Sequence, residues 1–351
     1  MLGTIRFFLA ILVLTSHLPH YELKPNLGVV SVICFYFISG FFMNKSYSRF
    51  ERYATNPALD FYIDRCIKIF PQYLIVAVFT VVGILSLGKS EVIDSLNQDI
   101  TLSKIILNMI LIPANYVFYP LAIKALNPGP IIPPAWSLAT EFHFYLILPF
   151  ISKMRKQHWL ILILITMGIQ FSSFFFSSAV FNANNFGYRY IFGVLTIFLY
   201  GYAFAEKKES FYKKLSILIW ITFAMFLFFI APLFNIWKNK FVLEILLGGF
   251  IALPLGYVFT SVRTKSESVR KFDNLLGNLA YPIFISHFFS FYLVEKILTI
   301  SISDKVNFYI SSVILCLIVS LALNLFHGLV EEYRIKRRGF KSMKEVAPNN
   351  T

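Results

Sequence analysis

Few side chains in this sequence can hold or move a proton inside a long apolar run, and those that can are Arg6, His17, Glu141, His143, Glu244, His287, Lys296 and His327. A charge placed in an apolar span is costly, so each is a candidate for function. Snorkelling at a span end accounts equally for Lys296, His327 and Glu244. Arg6 and His17 differ because they share one run with ten residues between them. Eleven helical steps bring the second side chain to within about 20° of the first, about 16 Å further along the axis. An arginine suits an anionic phosphate and an imidazole exchanges protons near neutral pH, so the pair reads as a donor anchor and a general base. On these two residues alone, a topology charge and an interfacial imidazole fit as well.

Three other stretches could add to such a site. In Phe37-Ile38-Ser39-Gly40-Phe41-Phe42, Ser39 and Gly40 let another helix or a thin ligand approach the backbone, and helix packing is the simpler explanation. Arg65 and Lys68 lie three residues apart on one helix face, where a phosphate-rich ligand or a positive-inside charge bias would place them equally. Trp136-Ser137-Leu138 leads into Glu141, which lacks an adjacent cation and must be protonated or meet a partner on another helix. Ser39 and Ser137 are the hydroxyls an acyl group could rest on, although neither stands in a nucleophile motif. Cys34, Cys66 and Cys316 are odd in number and scattered, which gives neither a disulfide framework nor a metal site.

The elements that must position these residues follow from composition. With 57% hydrophobic residues, 14% charged residues and a mean hydropathy of +0.68, the chain has too little polar surface to wrap a soluble globule. A bilayer is its solvent. Ten apolar runs can cross it, at 2–18, 27–43, 67–87, 135–151, 159–180, 188–205, 215–233, 241–260, 278–298 and 307–330. The first has no small-residue cleavage pattern and is expected to stay in the mature protein. An eleventh run, 105–124, is broken by Pro113, Asn115, Pro120 and Lys124. If it does not cross and the N-terminus is inside, 23 of the 32 Lys and Arg fall on the cytoplasmic side; if it crosses, the seventeen from residue 152 onward become external. The expected fold is therefore an all-α polytopic bundle of about ten membrane-spanning helices plus one re-entrant or interfacial segment, with both termini cytoplasmic.

The net charge of +14 would suggest nucleic acid in a soluble protein, but here the cations sit between apolar runs and no nucleic-acid partner is expected. Residues 1–335 are read as one membrane domain and 336–351 as a basic cytoplasmic tail. The stretch from Arg334 to Arg338 is read as a topology anchor and anionic-lipid contact rather than a site.

Taken in order, Arg6-x10-His17, Phe37 to Phe41, the basic pair before Pro71-Gln72-Tyr73, Trp136-Ser137-Leu138 with Glu141 and Tyr145, Tyr281 to His287, and Glu331 resemble the integral-membrane acyltransferase family 3. The resemblance covers nearly the whole chain. The chain departs from it at Lys68, at Phe142-His143 and at Glu332-Tyr333, and a lysine at position 68 keeps the charge but loses the bidentate fork of an arginine.

The resemblance implies an enzyme of the bacterial cytoplasmic (inner) membrane that moves an acyl group, acetyl first, from acyl-CoA to a sugar hydroxyl of a surface glycan. Lipopolysaccharide O-antigen is the first candidate acceptor, as intact polymer or lipid-linked saccharide. His17 and Glu141 would be catalytic, and Arg6, Arg65 and Lys68 would hold the donor. Ser39, Trp136, Ser137, Tyr145, Tyr281, His287 and Glu331 are further candidates. Acetyl-CoA would be a donor substrate, with no cofactor bound permanently and no metal. The chain carries no hydrolase-like extracytoplasmic domain of the kind some family members have, so a stand-alone enzyme is expected. A transporter or flippase of a lipid-linked saccharide is the competing class, on architecture alone.

Overall fold

In the computed structural model, residues 1–19, 23–116, 129–206, 210–261 and 266–338 are described, and all ten expected runs lie on helices. These are α1 (Leu2–Ser16), α2 (Leu27–Tyr53), α3 (Pro57–Leu87), α5 (Ala135–Ile151), α6 (Lys156–Ser172), α7 (Ile191–Ala205), α8 (Ser210–Met225), α10 (Val242–Ser261), α11 (Glu267–Lys296) and α12 (Lys305–Arg337). A π-helical turn joins α8 to the short α9 (Ala231–Phe234). Among the described residues, six helical stretches are long and apolar enough to cross a bilayer, and α1, α5 and the apolar part of α10 are shorter. The described part of the eleventh run is α4 (Leu102–Ile110) and a 3₁₀ turn over Ile112–Tyr116, too short to cross. Residues 117–124 of that run, with Lys124, lie outside the described residues, as do Lys208, Lys265 and the tail beyond Arg338.

Local signals start and stop these helices. Asn26 Oδ1 accepts the Gly28 and Val29 amides at 2.9 and 3.2 Å and opens α2. Asn56 caps α3, with Pro57 at its first position and Asp60 in its first turn. At its far end, α3 stops at Gly88, whose φ of 86° is left-handed backbone that glycine adopts without strain.

Contacts between helices fix their directions. Asp273 of α11 accepts the Gly3 and Thr4 amides at 3.1 and 2.9 Å, which sets the starts of α1 and α11 side by side. A Cβ on Gly3 would stand 1.7 Å from the Asp273 carbonyl oxygen, so only glycine permits this approach. Gly40 serves the same purpose in α2, where a Cβ would lie 2.0 Å from the Phe198 carbonyl oxygen of α7. Gln72 of α3 donates to the Leu323 carbonyl of α12 at 3.0 Å, and these two helices run antiparallel. The starts of α1, α3 and α11 therefore share one end of the bundle with the finishes of α2, α5 and α12.

Candidate functional site

A cavity of about 540 Å³ lies among α1, α2, α3, α5, α11 and α12. Arg6 enters from α1, Ser39, Lys45 and Arg49 from α2, and Arg65 and Lys68 from α3. Ser137, Glu141 and Tyr145 come from α5, Tyr281 and Phe284 from α11, and Arg334 and Arg338 from the end of α12. The lining thus holds seven cationic side chains and a single carboxylate, Glu141. That imbalance suits a ligand with several negative charges.

Glu141 finds the partner on another helix that its burial demands. Its Oε1 accepts the Ser39 hydroxyl of α2 at 2.6 Å and the Tyr145 hydroxyl one turn further along α5. The Ser137 hydroxyl donates to the Pro134 carbonyl at 3.0 Å, so both candidate hydroxyls are engaged. Tyr281 donates its hydroxyl to the Ile69 carbonyl of α3 at 2.9 Å, which pins α11 beside Lys68.

Behind Arg65 lies a carboxylate that the sequence reading did not single out. Asp64 is 2% exposed and accepts from Arg65 at 3.1 Å, from Arg334 at 3.3 Å and from Arg338 at 2.6 and 2.9 Å. A buried carboxylate needs such partners. Here it gathers arginines from α3 and α12 at the mouth of the cavity. Glu331 bonds Arg334 and lies 3.6 Å from His327, and it stands behind the lining rather than in it. Arg334 and Arg338 thus line the cavity, a place that the reading of Arg334 to Arg338 as a lipid and topology anchor did not give them, and α12 runs to Arg337.

His17 is not part of this lining. Successive turns of α11 carry Tyr281 and Phe284 along the cavity and then His287 and Phe288 beyond it. The His17 ring lies 5.2 Å from that of His287 and 5.1 Å from that of Phe288. Phe284 stands between the two regions, its ring 6.3 Å from Phe35 and 6.2 Å from His287. His17 Nδ1 lies 2.9 Å from the Val13 carbonyl oxygen, which fixes the proton on Nδ1 and leaves Nε2 with its lone pair on an exposed side chain. Arg6 and His17 thus share a helix but serve different spaces. Glu141 lies with Arg6 in the cavity lining.

A further cation stands on the His17 side. Arg189, just before α7, is held through its carbonyl by the Thr140 hydroxyl at 2.8 Å and the Asn115 amide at 2.9 Å. Its guanidinium stacks 5.0 Å from the ring of Trp136, which is itself buried and outside the cavity, and 5.3 Å from Tyr188. The only sequence signal for it was an arginine at the start of a span, where positive charge is ordinary.

A family model described as an acyltransferase domain matches residues 2–325. An uncharacterized protein of Aquifex aeolicus (strain VF5) is 33% identical over 217 residues, which cover 58% of this chain and 89% of that protein. No solved structure matches the chain.

Proposed function

The chain belongs to acyltransferase family 3, and from that premise we propose that it moves an acyl group, acetyl in the first instance, from acyl-CoA to a sugar hydroxyl of a bacterial cell-surface glycan. The observation that carries the donor half of this reading is the ratio of seven cations to one carboxylate around the cavity. Coenzyme A is a thioester carrier with several phosphate charges, and Arg6, Arg65 and Lys68, reinforced by Arg334 and Arg338, are suited to hold them. The cationic end then faces the cytoplasm, where acyl-CoA is found, in keeping with the positive-inside bias.

The chemistry is a balanced exchange of one bond for another. In this reading the donor's phosphates stay at the cationic end and its acyl-bearing arm extends past Phe284 to His17, where the acceptor oxygen attacks the thioester carbonyl carbon as His17 Nε2 takes the hydroxyl proton, the carbon–sulfur bond breaks, and the departing thiolate recovers that proton from His17. Glu141, oriented by Ser39 and Tyr145, fixes the cavity wall opposite Arg6. The acceptor approaches from the His17 end. Lipopolysaccharide O-antigen is the acceptor we favour, and the membrane is the bacterial inner membrane.

Mass spectrometry of surface glycan from strains with and without the gene tests the reading. The expected result is intact polymer lighter by one acetyl per modified unit when the gene is absent. Loss of the polymer itself would mark the chain as a transporter of lipid-linked saccharide instead.

A further inference from the structure

We infer that His287 is a positioning residue for His17, accepting a hydrogen bond from the His17 imidazolium when that base is charged; the inference rests on the transfer reading above. His287 is 0% exposed, and its Nε2 has no hydrogen-bond partner. Its Nδ1 lies 3.3 Å from the Ile283 carbonyl oxygen, which assigns the proton to Nδ1 and leaves a buried lone pair on Nε2. An acceptor without a donor in such a place is costly and seldom kept without use. The ring beside it is His17, with centroids 5.2 Å apart and planes tilted by 35°, close enough for ring nitrogens turned toward each other to bond.

A base that charges within a membrane-spanning helix, against the rings of His287 and Phe288, gains from a group that stabilises the charge, and in catalytic triads a carboxylate does so. Among the described residues the part-buried carboxylates Glu244 and Glu295 at this end are committed elsewhere. Glu244 of α10 accepts the Asn26 amide at 3.0 Å, and Glu295 of α11 accepts the Glu91 amide at 2.8 Å. From α12, Tyr309 gives its hydroxyl to the Pro19 carbonyl. Arg189, from the chain entering α7, is a cation boxed by Trp136 and Tyr188 and offers no acceptor to a charged imidazole. The lone pair of His287 is left for this purpose. While the new carbon–oxygen bond forms, the hydroxyl proton resides on His17 Nε2, shared with His287, until the thiolate sulfur takes it.

The test uses the full chain in phosphatidylethanolamine–phosphatidylglycerol vesicles, as wild type, His287→Leu and His287→Gln. Leucine removes the acceptor, whereas glutamine places a carbonyl where Nε2 stood. The rate at which diethyl pyrocarbonate modifies His17, read by mass spectrometry against pH, reports its protonation without turnover. In His287→Leu the midpoint should fall by about one pH unit, the worth of one charged hydrogen bond, and in His287→Gln it should stay near wild type. The kcat of His287→Leu should drop about tenfold with donor KM unchanged, and its acid limb should move the same way. His287→Met also lacks the acceptor and takes the place of the leucine variant if that chain does not insert. An unchanged or raised midpoint, or a glutamine variant that shifts as far as leucine, would overturn the inference. No transfer by wild type overturns the reading beneath it, a failure distinct from a flat titration.

Discussion

Where α1 begins, seven cations crowd a cavity and a buried carboxylate, Asp64, ties three of the arginines at its mouth to α3 and α12. Where α1 ends, two histidines pack on Phe288 and an arginine is boxed by Trp136 and Tyr188. The first region has the fixed charge and hydrogen-bond forks that grip a polyanion; the second has groups that exchange protons and little charge to grip with. In our account, donor binding and proton transfer are therefore separable, with Phe284 between them. Changes at the His17 end should appear in kcat, changes to the cations of the cavity in donor KM, and a change at Glu141, which orders the cavity wall rather than gripping phosphate, in turnover.

The largest effect expected is that of His17→Ala. Loss of a general base removes about 10²–10⁴ in rate, so kcat should fall by that factor while donor KM holds. Steady-state transfer at matched membrane abundance checks this, and near-normal turnover would remove His17 from the chemistry. Glu141→Gln comes next because it keeps shape but loses charge opposite Arg6. Turnover should fall by about tenfold or more, and a fully active variant would reduce Glu141 to packing.

How much of this comparison was legible in the sequence depends on where each residue stands. Ser39, Ser137, Glu141, Tyr145 and Tyr281 fall inside apolar runs, where polar groups are few enough to be noticed, and the structure gathers all of them around one cavity with Arg6, Arg65 and Lys68. Arg334 and Arg338 were hidden because a cation at a span end satisfies the positive-inside bias whatever it touches. Arg189 was hidden for a similar reason, since it opens a span. The separation of His17 from the cavity could not be read either. Helical periodicity gives the face of a side chain, and it does not tell which neighbour, Phe284 or His287, occupies each depth along that face.

Arg338→Ala probes the placement of the C-terminal stretch at the cavity. Removing one charged contact should raise donor KM by about tenfold and leave kcat within about twofold, as measured by transfer at varied acyl-CoA. An unaltered KM would return Arg338 to the role of an anchor. The smallest effect is expected from Lys271→Ala, a cation at the same end of the bundle that pairs with Glu267 at 3.0 Å on the exposed face of α11. Both constants should stay within about twofold, because exposed pairs contribute little and Lys271 lies outside the cavity. A KM change as large as that of Arg338→Ala would mean that general surface charge, rather than the built cavity, attracts the donor.

The claim that most needs testing is that the cation-lined cavity takes acyl-CoA from the side on which α1 begins. Sealed vesicles of opposite orientation, each supplied externally with labelled acetyl-CoA, test it directly. Everted vesicles, which turn the cytoplasmic face outward, should pass label to glycan, and they should fail to do so with Arg6→Ala. Right-side-out vesicles should transfer none. Equal transfer in both orientations, or transfer only in the right-side-out set, would contradict a donor site at the cationic end.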